Sequence, residues 1–110
     1  MVEIIKLPER FTLEYSADTR QGNDITIHLM SSRFYKLVVN IMPATTNTTI
    51  IKQLYLFNHL YMTNIDITNK TIHEEYHIPN YYYHNQTNEM VRIVSDNDVI
   101  VSYTAEIVVI

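Results

Sequence analysis

Residues 90–110 read MVRIV, then SDND, then VIVSYTAEIVVI, and the last run leaves the backbone little choice. Val99, Val101, Tyr103, Ala105, Ile107 and Val109 point one way if the chain is extended, while Ser102, Thr104 and Glu106 point the other. Period-two alternation in β-branched and aromatic residues is the pattern of a strand with one buried face. Asn and Asp tolerate the left-handed backbone of a tight turn. Ser95-Asp96-Asn97-Asp98 is therefore predicted to fold this strand back on residues 90–94 as a hairpin. On this reading the strand runs to Ile110 with no tail, and an antiparallel β scaffold follows.

The remaining chain supports more strands of the same kind. Residues 2–7 form a short β-prone run ending at Pro8, and Phe11, Leu13 and Tyr15 alternate with Thr12 and Glu14. Residues 16–24, SADTRQGND, are polar, hold the only glycine and read as a loop. Ile25, Ile27 and Leu29 form one face of a next strand. A Ser31-Ser32 turn leads to Tyr35, Leu37, Val39 and Ile41, with Lys36 and Asn40 on a wetter face. Residues 43–49 read as a second loop.

Residues 50–62 admit two readings. As a helix, Thr49 is a candidate N-cap, and Lys52, His59 and Thr63 fall on one stripe with Ile50, Leu54, Phe57 and Tyr61 largely opposite. As strands, IIKQLYLF and LYMTNIDI flank an Asn58-His59 turn, and the aromatic and β-branched content favours this reading. Ile65 and Ile67 lead to an Asn69-Lys70 turn and a strand over residues 71–78. Pro79-Asn80 breaks the run before Tyr81-Tyr82-Tyr83-His84, and residues 85–89 form a polar loop. Turns recurring every ~8–12 residues suit a sandwich or barrel. The expected fold is all-β: one antiparallel domain over residues 1–110, a β-sandwich or small jelly roll, with the helix at 50–62 as the open alternative.

Composition removes several classes of function. A chain of 110 residues has room for one modest core. At 46% hydrophobic and 18% charged residues it is globular rather than disordered. No apolar run approaches the ~20 residues of a membrane-spanning helix, so no membrane partner is expected. The opening MVEIIKLPER has Glu3 and Lys6 inside its apolar stretch and no small-residue cleavage site, so no signal peptide is expected. Zero cysteines exclude disulfides and thiolate chemistry. A net charge of −4, with eight basic residues scattered singly, argues against a nucleic-acid partner. With Gly22 as the only glycine, the dinucleotide fingerprint, the Walker A loop and the nucleophile elbow are all absent.

His73-Glu74-Glu75-Tyr76-His77 is the sharpest constellation, a literal H-E-x-x-H. On a helix the two imidazoles share a face and can share a zinc, with the Glu as general base. Thr71 and Glu74 also make a capping-box pair. The five residues resemble the zincin metallopeptidase signature, which implies His73 and His77 as ligands and Glu74 as base. Against this, Pro79 stops a helix just past His77, and Tyr83 stands where the extended form of the motif has its third His. As a strand, His73 and His77 lie ~13 Å apart, too far for one metal. The expectation is an edge strand with His73, Glu75 and His77 facing solvent, no catalytic residue, no metal and no cofactor.

Tyr76 and Tyr81–Tyr83 supply rings with a flat apolar face and a polar tip, suited to a core on one side and an interface on the other. Asn47-Thr48-Thr49, Asn69-Lys70-Thr71 and Asn85-Gln86-Thr87 are glycosylation sequons in predicted turns. Asp96-Asn97-Asp98 lacks the spaced oxygen ligands of a calcium loop and is better explained as turn chemistry. Ile107-Val108-Val109-Ile110 supplies apolar residues to both faces of the final strand, so a second copy is expected to cover one of them. The expected interface residues are Tyr81, Tyr82, Tyr83, Glu106, Val108 and Ile110.

These features imply a non-enzymatic structural or interaction protein whose partners are its own copies or other structural proteins. Richness in Ile, Asn and Tyr suggests an AT-rich genome and a virion component, a coat, decoration or fibre protein, placed in a virion or host cytoplasm. The alternative is a small protein- or glycan-binding module, such as a viral inhibitor of host defence. The more remote alternative is the zinc peptidase.

Overall fold

A computed structural model describes residues 3–29, 33–56, 59–77, 82–85 and 89–109. The described chain is made of strands: β1 Glu3–Lys6, β2 Thr12–Leu29, β3 Arg33–Pro43, β4 Ile50–Leu56, β5 His59–Asp66, β6 Ile72–His77, β7 Tyr82–Asn85 and β8 Glu89–Val109. All are antiparallel in one curled sheet ordered β1-β7-β3-β8-β4-β5, with β2 on β8 and β6 on β3. The all-β antiparallel expectation holds, and the two layers of its sandwich-like core are two parts of one half-barrel.

The ribbon of β2 and β8 is the spine. Thr12–Gly22 pairs with residues 99–109 and Asp24–Leu29 with residues 89–94. Between these blocks only Asn23 faces residues 95–98, so the register shifts and β8 bulges. The predicted hairpin at 95–98 is thus corrected to a bulge inside a continuous strand of 21 residues. Its polar side chains dock on the segment after β3 instead of turning the chain. Asp96 Oδ1 accepts the Ile50 N–H at 2.8 Å, and Asn97 Nδ2 donates to the Thr48 carbonyl at 2.6 Å. On its far side β8 pairs with β4 through residues 91–95 and with β3 through residues 99–107.

Residues 16–24 are likewise strand rather than the predicted loop. They are polar because β2 is an edge: residues 17–21 are all exposed although fully paired to β8 on one side. Arg20 braces the bend beside Gly22, donating from Nη1 to the Thr26 carbonyl at 2.9 Å. Tyr15, expected on a half-buried face, is 67% exposed for the same reason, and Phe11, just before β2, is 41% exposed.

The helix alternative for residues 50–62 is also corrected, because β4 and β5 form an antiparallel pair. Register shifts at Ile51/Gln53 and Leu54/Tyr55 make Ile51, Leu54 and Leu56 the buried residues. An extra residue in a strand converts a spacing of two into three, which imitates a helical stripe. At the β5–β6 turn the Lys70 N–H donates to the Ile67 carbonyl at 2.8 Å. Asn69 there takes the left-handed φ of 56°, which Asn tolerates. The predicted turns at Ser31-Ser32, Asn58 and Pro79-Asn80, and most of the 85–89 loop, lie outside the described residues.

The core fills the curl. Ile27, Phe34, Leu37, Val39, Ile41, Ile51, Leu54, Ile67, Val91, Ile93, Val99, Val101 and Ala105 are almost completely buried in one cluster, and Tyr103 is 9% exposed. A register shift between Phe34 and Lys36 sends Phe34 into this core and Tyr35 to the other face. There a second cluster joins Leu7 and Val108 with partly buried Ile5, Leu13 and Tyr35. The molecule measures 49 × 24 × 21 Å with a radius of gyration of 14.8 Å. That exceeds the ~13 Å of a compact chain near this length, as a long ribbon requires.

Candidate functional site

Polar side chains converge on the outer face of β6, β3, β8 and β2. Antiparallel partners share a face, so the register arranges side chains in rows. His77, Lys36, Glu106 and Tyr15 make one row, and Glu75, Val38, Thr104 and Ala17 the next. His73, Asn40, Ser102 and Thr19 make the third. A shallow groove of about 360 Å³ crosses the last two rows between β2 and β3.

Charges on β6 and β3 knit these rows together. Glu75 lies 3.4 Å from both Lys36 Nζ and His73 Nε2, and His73 Nδ1 sits 2.6 Å from Asn40 Oδ1. The imidazole beside it, and then the Lys36 ammonium, hold the Glu75 carboxyl below its usual range. The Tyr35 and His77 rings meet edge-on at 5.1 Å. On the other side of β6, Tyr61 Oη donates to Glu74 Oε2 at 3.2 Å across the gap between β5 and β6. The negative charge of Glu74 is the main reason the Tyr61 phenol is raised above its ordinary value.

H-E-x-x-H therefore lies on a strand, with His73, Glu75 and His77 exposed and Ile72, Glu74 and Tyr76 half-buried. The ligands of the zincin resemblance need a helical turn between them, and this strand spaces them ~13 Å apart. Among the described residues no group of three or more His, Asp or Glu is placed to hold a metal ion. His73 and Glu75 instead belong to the surface network above.

The expected interface residues are distributed unevenly. Tyr81 and Ile110 lie outside the described residues. Tyr82 is 43% exposed and pairs with Lys6, and Tyr83 stands opposite Ile5. Glu106 is half-buried on the outer face between Lys36 and Tyr15. Val108 is 1% exposed and packs against Leu7 of its own chain, because the segment after β1 folds over that end of β8. Phe34 pairs with His84 of β7 and with Ile107 of β8, so both expected patches come to one end of the sheet.

The feature missed in the sequence is the open side of β2. Among the described residues β2 pairs with β8 alone. Asp18 and Arg20 stand on this edge, with Arg20 Nε 3.2 Å from Asp18 Oδ2. The Thr19 N–H donates to Asp18 Oδ1 at 2.8 Å, and this bond, followed by that of Arg20, keeps the Asp18 carboxyl below its usual range. Asp18, Thr19, Arg20 and Gln21 are consecutive polar residues without alternation, so the sequence carries no signal for this edge.

Four exposed carboxyls, Asp18, Asp24, Asp66 and Glu75, are held below their ordinary values. Groups depressed in the folded state stabilise it above the unfolded pKa and lose that effect as pH falls through the folded pKa. Thermal melts should therefore decline on acidification through and below the ordinary carboxyl range of ~3.9–4.3. Salt should shrink the part due to Asp24, which rests on the Arg92 ion pair at 3.0 Å. It should spare the part due to Asp66, whose depression comes mainly from Thr68 hydrogen bonds. Asp24→Asn should then reduce the salt-sensitive part of the acid response, the remainder resting on Asp18 beside Arg20 and Glu75 beside His73 and Lys36. A profile unchanged by that substitution would contradict this assignment.

No protein-family model, curated protein or solved structure matches the chain.

Proposed function

We propose that this protein is a non-enzymatic structural subunit that acts by associating with its own copies or with other structural proteins. The observation that supports this reading is the long open edge of β2. It spans 18 residues and pairs on one side only among the described residues. An edge strand presents unpaired N–H and C=O groups that template pairing with another chain. Proteins that stay single usually blunt such an edge with lysine, proline or a bulge. β2 contains no lysine or proline, and its register shift at Gly22/Asp24 lies beyond the regularly paired Thr12–Gly22. Composition adds the kind of assembly, a virion coat, decoration layer or fibre, with virion or host cytoplasm as the setting.

Light scattering on a sizing column tests the reading. The protein should elute as defined oligomers whose mass rises to a plateau with concentration. A monomer at every concentration would overturn it. The rows of the outer face favour a second reading, a small module that binds a host protein or glycan. The hydrogen-bonding groups of His73, Glu75 and Asn40 and the exposed Tyr15 ring suit such a target. A module of that kind stays monomeric until offered its ligand.

A further inference from the structure

We infer that β2 is the seam of a two-fold dimer. Residues 17–21 of two copies pair antiparallel with Thr19 on the axis, so that Asp18 of each copy faces Arg20 of the other. This rests on the self-association reading above and specifies where the association occurs.

The backbone decides which groups are free. The Ala44 N–H donates to the Asp98 carbonyl at 3.0 Å, one step beyond the Pro43↔Val99 pair. Hydrogen-bonded and non-hydrogen-bonded pairs alternate along an antiparallel ladder. Even residues of β8 such as Ile100, Ser102 and Thr104 therefore bond to β3, and Val99, Val101, Tyr103 and Ala105 turn to β2. Their partners are Gly22, Arg20, Asp18 and Ser16. That leaves the N–H and C=O of Ala17, Thr19 and Gln21 pointing to the open edge. The bond from the Thr19 N–H to Asp18 Oδ1 agrees independently, since a short polar side chain satisfies a backbone donor that no strand has taken.

Self-pairing about Thr19 matches these outward groups, Thr19 with Thr19 and Ala17 with Gln21. It also sets Asp18 opposite Arg20 twice, once on each side of the axis. Centring the axis on Asp18 or on Arg20 would put like charges face to face, which is destabilising. Within one copy Asp18 and Arg20 are already in contact, so dimerisation exchanges a partner on the same strand for one on the next. On the outer face Thr19 meets Thr19, a favourable cross-strand pair. The row His73, Asn40, Ser102, Thr19 then continues into the second copy. Past Gly22 the register shifts and β2 bends, which confines the seam to the straight part of the strand. A two-fold contact uses the same edge on both copies and closes on itself.

A charge-swap mixing experiment tests the seam by sedimentation velocity, with circular dichroism confirming that each variant keeps the wild-type β spectrum. Wild type should dimerise. Asp18→Arg and Arg20→Asp, which put like charges across the axis, should each weaken dimerisation by at least about tenfold. An equimolar mixture of the two should recover a one-to-one dimer. Because Arg20 also bonds the Thr26 carbonyl, Thr19→Pro is a second edge variant that keeps both charges. It removes the outward N–H and should also dissociate the dimer. A wild-type monomer would overturn the self-association reading and the seam with it. A wild-type dimer indifferent to all three substitutions would overturn the seam alone. Weakened variants that fail to recover on mixing would overturn the Asp18–Arg20 pairing.

Discussion

Ile93→Asp is expected to lower the stability of the protein by roughly 3–5 kcal/mol, the cost of an uncompensated charge in a core. Ile93 is fully buried, and its cross-strand partners Ile25 and Leu54 are 5% and 0% exposed. No polar group on those partners can receive the carboxylate. Val101→Asp is expected to be less severe, because its partner on β2 is Arg20, whose guanidinium can swing onto the new charge. Thr104→Asp, exposed on the outer face beside Val38 and Ala17, should stay within about 0.5 kcal/mol of wild type. Urea melts of the three variants check the order. Equal midpoints for Ile93→Asp and Thr104→Asp would mean that the faces of β8 are misassigned.

Val108→Lys is expected to act on folding, not on association. Val108 is buried at 1% against Leu7, so a lysine there must displace the segment after β1 or strain toward solvent along its aliphatic stem. The expected loss is about 2–3 kcal/mol, with faster proteolysis near residues 7–11 as Leu7 is released. Association through the far edge of the ribbon should persist in whatever fraction remains folded. A variant that keeps the wild-type melting temperature but becomes monomeric would return Val108 to an intermolecular contact.

Where one face is dry and the other wet, the strands are legible from alternation alone. Leu37, Val39 and Ile41 on β3, Ile25 and Ile27 on β2, and Val91, Ile93, Val101 and Tyr103 on β8 are buried as their periodicity requires. The failures occur where that condition lapses. Residues 16–24 look like a loop because an edge strand with two wet faces has no hydrophobic period. Residues 95–98 look like a turn because a bulge uses the same Asn and Asp chemistry. Residues 50–62 look partly helical because two register shifts space Ile51 and Leu54 three apart. Alternation puts Tyr35 on the wrong face for the same kind of reason, a shift beside Phe34. The solvent-facing placement of His73, Glu75 and His77 is legible once β6 is read as a strand. The β2 edge is not, because a free edge depends on which strand lies next to it, and no local pattern encodes that.

The pairing of residue 12 with residue 109 makes the order of chain synthesis matter. β8 is the shared neighbour of β2, β3 and β4, yet it is the last of the eight strands to be made. A nascent chain lacking it can close the β4–β5 hairpin and the β3–β6 pair, but among the described residues β2 has no partner until β8 arrives. Loop-closure entropy must be met before these distant contacts reward it, which places folding on the slow, ~millisecond-to-second side of small domains. During that interval the Ile25 and Ile27 face of β2 lies open, and a truncation before Glu89, which removes their partners Ile93 and Val91, would leave it open permanently. The sheet thus closes only after β8 has cleared the ribosome.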